Sequence, residues 1–160
     1  MIAIATLLFA LYTAISVAMF GIPSSLSMTH YLWHSAHKHG KVVFPAFMVT
    51  FVALILPRLL EVTNGSNWQF LGFIMMAPLL FVAFAPWFLS DAQSTVHTTA
   101  AIVSAIGGVA FTCVFGHWWL SVICAAIGGV ISFARPMNRV FLMEMAAFCS
   151  VLITLLTFPY

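Results

Sequence analysis

Charged side chains are scarce in this chain, and their scarcity limits the classes of protein it can belong to. Only five Lys or Arg and three Asp or Glu occur among 160 residues, so 5% of the chain is charged. A soluble domain carries roughly 25%, and a soluble fold with so few charges would expose large apolar patches and aggregate. The net charge of +2 and the lack of a basic run also argue against binding of nucleic acid.

Motifs of phosphate-binding, disulfide-bonded and secreted proteins are missing as well. There is no Gly-rich loop of the P-loop or dinucleotide-binding type. The three cysteines, Cys113, Cys124 and Cys149, lie inside apolar runs, which predicts small buried side chains and no disulfide framework. The N-terminal segment lacks a basic region and a cleavage site of small residues, so we expect a retained first span and not a signal peptide.

Apolar sequence is what the chain has in abundance. Hydrophobic residues make up 64% of it, and a membrane-spanning helix needs about 20 mostly apolar residues. Such runs occupy almost the whole chain, which predicts one integral membrane domain over residues 1–160, an all-α polytopic bundle of about six transmembrane helices. Pro78 and Pro86 are expected to kink the third helix. The predicted spans are 2–22, 42–60, 69–89, 96–115, 118–134 and 140–158.

The five cations predict the orientation of this bundle. Lys38 and Lys41 lie between the first two spans, and Arg135 and Arg139 lie between the last two, so four cations share one side. Only Arg58 lies on the other side. Because cytoplasmic loops carry the excess of Lys and Arg, the sequence predicts that both termini are outside.

Small residues recur at helical spacing in the fourth and fifth spans. Ser104 and Gly108 lie on one stripe, and Cys124 and Gly128 lie on another. Small side chains let transmembrane helices approach closely. The stripes therefore predict that the fourth and fifth helices pack tightly against each other through these residues.

Polar groups within a span point to a functional site, because each is costly in lipid unless it is paired. Glu144 lies about 7 Å, roughly one and a half turns, into the sixth span, and His97 begins the fourth. Asp91, Ser24 and Ser27 lie at the same, cytoplasmic face in this topology. We therefore predict a functional polar site of these five residues, in which Glu144 and His97 face the bundle interior and Glu144 is paired to a polar group of another helix.

Most of these residues also have a purely structural interpretation. Asp91 can cap the fourth helix, the serines can cap a short interfacial helix after Pro23, and His97 can bond a carbonyl group. Glu144 is harder to explain in this way, since a carboxyl group at that depth needs a partner or a proton. Near the other face, Arg58 and Glu61 are three residues apart, which predicts a local ion pair.

The segment HYLWHSAHKHG contains four histidines. On a helix, His30, His34 and His37 would share one face, and imidazoles at that spacing can bind zinc. The same segment is typical of an amphipathic interfacial helix with Tyr31, Leu32 and Trp33 toward lipid, and this interpretation is favoured. No cofactor is predicted, and zinc at these histidines is the alternative.

Four segments in order resemble a group of small polytopic membrane proteins of bacteria and their phages. They are GIPSSLSMTHYL, QFLGFIMMAPLLFVAFAPWF, VHTTAA and EMAAF, and together they cover most of the chain. The resemblance implies a bacterial cytoplasmic membrane, and it implies that residues 24–31, His97 and Glu144 fall in the recurring segments of the group. It implies no activity.

A second resemblance is to the seven-span hydrolase superfamily that includes alkaline ceramidases. Those enzymes hold zinc with a Ser, an Asp and three His, and this chain is similar to them in those residue types alone. It departs from them in its six predicted spans and in having no HxxxH pair in a late helix.

The residues at the predicted site indicate a small-solute or proton transporter, or a channel-like unit. In that hypothesis Glu144 accepts the proton or ion, and His97 is its titrating partner. An alternative is a metal-dependent intramembrane lipid hydrolase, with Asp91, His97, Glu144 and His34 around a metal that activates water. Another is a structural or regulatory subunit without a site. The expected partners are the lipid bilayer and a homo-oligomer or larger membrane complex, with no nucleic acid.

Overall fold

The computed structural model describes residues 1–84, 91–116 and 118–158, and for residues 91–93 only the backbone. This part of the chain consists of helices and short turns, without a β-strand, so the all-α class is confirmed. A single 3₁₀ turn precedes the third helix and another precedes the last. The helices are α1 (Ile2–Phe20), α2 (Thr29–Ala36), α3 (Val43–Thr63), α4 (Phe70–Phe84), α5 (Asp91–Phe115), α6 (Trp118–Ala134) and α7 (Arg139–Thr157).

Among the residues that the structure describes, four segments are long and apolar enough to cross a membrane: Ile2–Phe20, Gly40–Thr63, Ser94–Phe115 and Pro136–Thr157. They identify the chain as a helical membrane protein. The other two long helices, α4 with 15 residues and α6 with 17, are apolar but shorter. At 1.5 Å per residue they extend only about 22 and 26 Å, against a hydrocarbon core of about 30 Å. The expected number of six spans therefore does not follow from helix length alone.

The short helix α2 lies where an interfacial helix is predicted, and hydrogen bonds fasten it to α1. The Tyr12 hydroxyl and the Thr29 hydroxyl are 2.5 Å apart, and the Trp33 indole N–H donates to the Ser16 hydroxyl at 3.1 Å. The Tyr12 ring also stacks on Phe47 of α3, with 3.9 Å between ring centroids. Trp33 is half-buried and its N–H is bonded to α1, so only part of this side chain remains to face lipid.

Aromatic side chains of α1, α3 and α7 form the centre of the core. Phe9 packs against Phe51 and Phe148, with ring centroids 5.6 and 5.1 Å apart, and all of these contacts are tilted. Such tilted geometries are the ones that aromatic rings favour. The core therefore joins the first, the third and the last helix of the chain.

The tight contact predicted between the fourth and fifth spans is wrong in its partners. Ser104 donates a hydrogen bond to the Met75 carbonyl of α4 at 2.7 Å. A Cβ at Gly108 would lie 3.2 Å from Val151 of α7, and a Cβ at Gly128 would lie 3.2 Å from Ala146, also of α7. The stripe of small residues predicts that a face is closely packed, but it carries no information about which helix covers that face.

The expected burial of the cysteines is wrong for two of them. All three thiols are free, and Cys113 and Cys149 are exposed on the surface of α5 and α7. In a membrane protein an apolar run does not distinguish a core face from a lipid face, because both are apolar.

Contacts between helix ends show which of these ends lie together at the same end of the bundle. The Arg58 guanidinium donates to the Phe158 carbonyl at 2.9 Å and forms the predicted ion pair with Glu61, also at 2.9 Å. A Cβ at Gly116 would lie 2.6 Å from the Thr154 hydroxyl. The C-terminal ends of α3, α5 and α7 therefore lie together. At the opposite end the start of α7 contacts the turn that follows α1.

Candidate functional site

The turn after α1 forms one wall of the site. Gly21 ends α1 with a φ of 75°, a conformation in which a side chain is disfavoured, and Pro23 cannot continue the helix. The chain then folds into a serine-rich turn, where the Ser25 hydroxyl accepts a hydrogen bond from the Met28 N–H at 3.1 Å. The predicted serine cap of α2 is not formed, because the N-cap residue of this helix is Met28 without a side-chain bond, and Ser25 instead stabilises the turn before it.

The N-terminal end of α7 is bonded to this turn at several points. The Asn138 amide donates to the carbonyls of Ile22 and Pro23 at 2.6 and 3.0 Å. The Phe141 N–H, in the first turn of α7, donates to the Ser24 carbonyl at 3.0 Å. Helix N–H groups at this position have no partner within their own helix. The turn therefore completes the hydrogen bonding of α7 and fixes its distance from α1.

Glu144 lies one turn further along α7 and faces the same wall. Its Oε2 accepts a hydrogen bond from the backbone N–H of Leu26 at 2.6 Å. The carboxyl group therefore points into the protein, and its partner is a backbone amide of the α1–α2 turn and not a side chain of another helix. A carboxylate has about four acceptor positions, so this bond leaves most of its capacity for a proton or a cation.

An open groove of about 1080 Å³ brings together most of the predicted site. Ser24, Ser27, His97 and Glu144 all line it. His97 is 6% exposed and lies on α5, across the groove from α7. The backbone of Asp91 begins α5, but its side chain lies outside the described residues, as do Pro86, Trp87 and His117. The role predicted for Asp91 stays a prediction.

A second, smaller and less open cavity of about 80 Å³ lies on the interior side of Glu144. Apolar side chains form most of its wall, and the polar residues among its lining are Ser27, Ser104 and Glu144. Its volume exceeds the minimum of roughly 10–15 Å³ that one water molecule requires. Glu144 and Ser27 line both spaces, so they stand between the open groove and the interior of the bundle.

The cavity borders on the part of α4 that contains Pro78. Pro78 lies inside this helix and has no N–H to donate to the carbonyl one turn earlier. The Ser104 hydroxyl bonds the neighbouring Met75 carbonyl, and Gly107 of α5 approaches the Met75 backbone so closely that a Cβ would lie 3.3 Å from its nitrogen. A hydroxyl from a neighbouring helix that bonds backbone beside a proline is typical of membrane proteins.

The predicted metal candidates do not form one face. His30 is 1% exposed, His34 is exposed, and His37 lies beyond the end of α2 in extended backbone. Burial, and then the charge of His34, lower the pKa of His30. Among the described residues, no group of three or more His, Cys, Asp or Glu lies close enough to hold a metal ion.

Two groups at the site were not predicted from the sequence. Arg139 lines the groove, although in the sequence it contributed only to the orientation. The Leu26 N–H is the partner of Glu144, and a backbone amide carries no signal in the sequence. Arg139 and Glu144 are five residues apart, which is about 140° around one helix, so their spacing does not predict that both line one groove.

Comparisons with known proteins do not assign this chain to a family. No family model matches the chain, and neither a curated protein nor a solved structure matches it.

Proposed function

We propose that this chain is a six-span protein of the bacterial cytoplasmic membrane that conducts protons, or a small solute together with them, past Glu144. The observation that carries the proposal is the position of this carboxyl group. It lines both the open groove and the interior cavity, and a group at such a boundary can exchange a proton with either space.

The chemistry of Glu144 suits proton handling. Ionisable side chains inside a membrane are costly, and those that occur commonly mark proton relays and ion pathways. Its bond to the Leu26 N–H is compatible with both protonation states, because a carboxyl group accepts from an amide with or without its proton. His97, on the facing wall of the groove, supplies a second ionisable group beside this route.

Beyond Glu144, the route would continue through the interior cavity. Ser104 is the polar group on the far wall, where its hydroxyl bonds the Met75 carbonyl beside Pro78. In transporters, an apolar helix interrupted by proline is a common place for a binding site. A chain of water molecules through this cavity would connect Glu144 with α4.

Six spans and outward termini are supported by the helix ends. Trp68 precedes α4 and Trp118 begins α6, and both are exposed, as expected at a headgroup layer. The end of α3 that carries Arg58 meets the end of α7. The contacts of Asn138 bring the loop with Arg135 and Arg139 to the α1–α2 turn. Four cations then share one side, which the positive-inside rule makes cytoplasmic.

Proton flux into liposomes tests the proposal. Purified protein would be reconstituted with a fluorescent pH indicator inside, and an imposed potassium diffusion potential would drive protons inward. We expect wild-type protein to acidify the lumen and Glu144→Gln to reduce the rate to that of empty liposomes, since an amide cannot carry the proton.

The matched control is Glu61→Gln, which makes the same chemical change at a carboxylate that is 59% exposed and lines neither space. It should conduct like the wild type. Equal flux in wild type and Glu144→Gln, with both proteins monodisperse, would refute the proposal.

A further inference from the structure

The groove extends well beyond the residues that proton handling needs. On α5 its wall runs from His97 to Ala110, and on α7 it runs from Arg139 to Ala147. Thirteen residues of helix extend about 20 Å, which exceeds the roughly 15 Å of hydrocarbon in one leaflet of a core about 30 Å thick. Past its polar end, the α5 wall is continuously apolar, and its lining there is Ala101, Ile102, Ala105, Ile106, Val109 and Ala110.

The outermost part of the polar end of the groove carries a positively charged side chain. Arg139 lines this end, and so does Ser24, whose side chain is exposed. The Arg139 Nε–H donates to the Ser132 carbonyl at 3.4 Å, which is a long hydrogen bond. A guanidinium carries five N–H donors in a geometry that matches phosphate, so the group retains donors for an anion.

Acidic and cationic groups lie at different depths along the groove. Glu144 is five residues further along α7 than Arg139, which places it about 7 Å deeper, and it is already bonded to the Leu26 amide. An anion at Arg139 would therefore lie at headgroup level, away from the carboxyl group. Charge and shape together specify an amphiphile with an anionic head and a chain about one leaflet long.

We propose that the groove binds one anionic phospholipid, with its phosphate on Arg139 and Ser24 and one acyl chain along α5 between Ala101 and Ala110. A second copy of the chain is disfavoured as the occupant, because its helix would bring an apolar surface to the guanidinium and leave the charge without an anion. The lipid site does not depend on the proposed proton conduction, since it uses Arg139 and the α5 wall and not the carboxyl group of Glu144.

Native mass spectrometry of the intact protein in detergent tests this site. Phosphatidylglycerol would be titrated against phosphatidylcholine of the same chain length. We expect one tightly held phosphatidylglycerol per chain and weaker binding of phosphatidylcholine. Arg139→Gln should weaken phosphatidylglycerol binding roughly fivefold, the loss expected for one cation near the headgroups. Arg135→Gln, at an exposed residue outside the groove lining, should leave it unchanged.

A second pair of variants tests the acyl-chain part of the groove. Val109→Phe fills the groove, whereas Val122→Phe makes the same change on an exposed part of α6 that does not line it. Only the first should reduce lipid retention. Equal effects of the two Phe variants, equal effects of the two Gln variants, or a dimer that Val109→Phe dissociates would overturn the proposal. Proton flux measured on Arg139→Gln distinguishes the lipid site from proton conduction. Loss of the bound lipid with normal proton flux would show that the lipid site is separate from the proposed route of protons.

Discussion

Hydroxyl groups in this protein form two kinds of hydrogen bond, one within their own helix and one to a residue of another helix. Thr63, Thr112 and Thr154 each donate to the carbonyl four residues earlier in their own helix. Such bonds satisfy the hydroxyl locally in an apolar setting. Tyr12 and Ser16, in contrast, bond residues of another helix, and this fastens α2 beneath the site. The pair Tyr12–Thr29 therefore bears directly on how the Leu26 amide reaches Glu144.

The burial of His30 makes stability depend on pH. Burial and the nearby His34 lower the pKa of His30, so the folded protein resists its protonation. Above about pH 6.5, the pKa of a free imidazole, both folded and unfolded chains hold His30 neutral. As pH falls below that value the unfolded chain binds the proton first, and the folded state loses stability. We expect the melting temperature in detergent to fall between pH 7.5 and 5.

The control for this pH dependence lies one turn away on α2. His30→Phe should flatten the dependence of the melting temperature on pH, because it removes the buried group that titrates. His34→Phe changes an exposed histidine and should leave most of the dependence in place. A dependence that is the same in wild type and His30→Phe would show that another group is responsible.

At the scale of helices, α7 is the element around which the others are arranged. It packs against α6, α5, α3 and α1, and its first turns hold Glu144 and Arg139. Its contact with α6 is close because Gly128 has no side chain, which allows the helix to approach Ala146 and the Leu142 carbonyl. A neighbouring glycine, Gly129, has open space around it.

This adjacent pair of glycines gives a matched test of the α6–α7 contact. Gly128→Leu should lower the free energy of unfolding by about 1–3 kcal/mol, the usual cost of overpacking. Gly129→Leu should not lower it, because the side chain meets nothing and Leu favours helix more than Gly does. Denaturant titration in mixed micelles, followed by circular dichroism, measures both. Equal destabilisation by the two variants would contradict the contact.

On the scale of the whole molecule, the charges are distributed unevenly between the two ends of the bundle. Lys38, Lys41, Arg135 and Arg139 lie at the end of the bundle that carries the groove, and Arg58 and Glu61 lie at the other end. If the first end is cytoplasmic, the groove opens toward the inner leaflet. Anionic lipids on that side would then be available to Arg139.

Cysteine labelling in intact cells tests this orientation. The native cysteines would be replaced by alanine, and single cysteines would be introduced at Lys38 and at Asn64. A membrane-impermeant maleimide should label position 64 in intact cells and position 38 only after permeabilisation. If position 38 is labelled in intact cells and position 64 is not, the orientation is the opposite of the one expected. If both positions are labelled, both lie outside, and the segment between them does not cross the membrane.

Much of the fold could be predicted from the sequence, because apolar composition and helix length are local properties. The helix boundaries near Phe20, Thr63 and Phe115 follow from Gly, Pro and polar residues at the ends of apolar runs. The ion pair of Arg58 and Glu61 was predictable from their spacing. The partners of the small-residue faces were not, because several apolar helices compete for each face and the sequence does not rank them.

For the candidate site, the sequence by itself determined that Glu144, His97, Ser24 and Ser27 would lie at the same end of the bundle. That follows from counting spans and measuring depth along each helix. Only the tertiary structure decided that these residues line one groove, that Glu144 also borders an interior cavity, and that its partner is the Leu26 amide. The physical reason is that hydropathy specifies the depth of a residue in the membrane, whereas its neighbours at that depth depend on how the helices pack around α7.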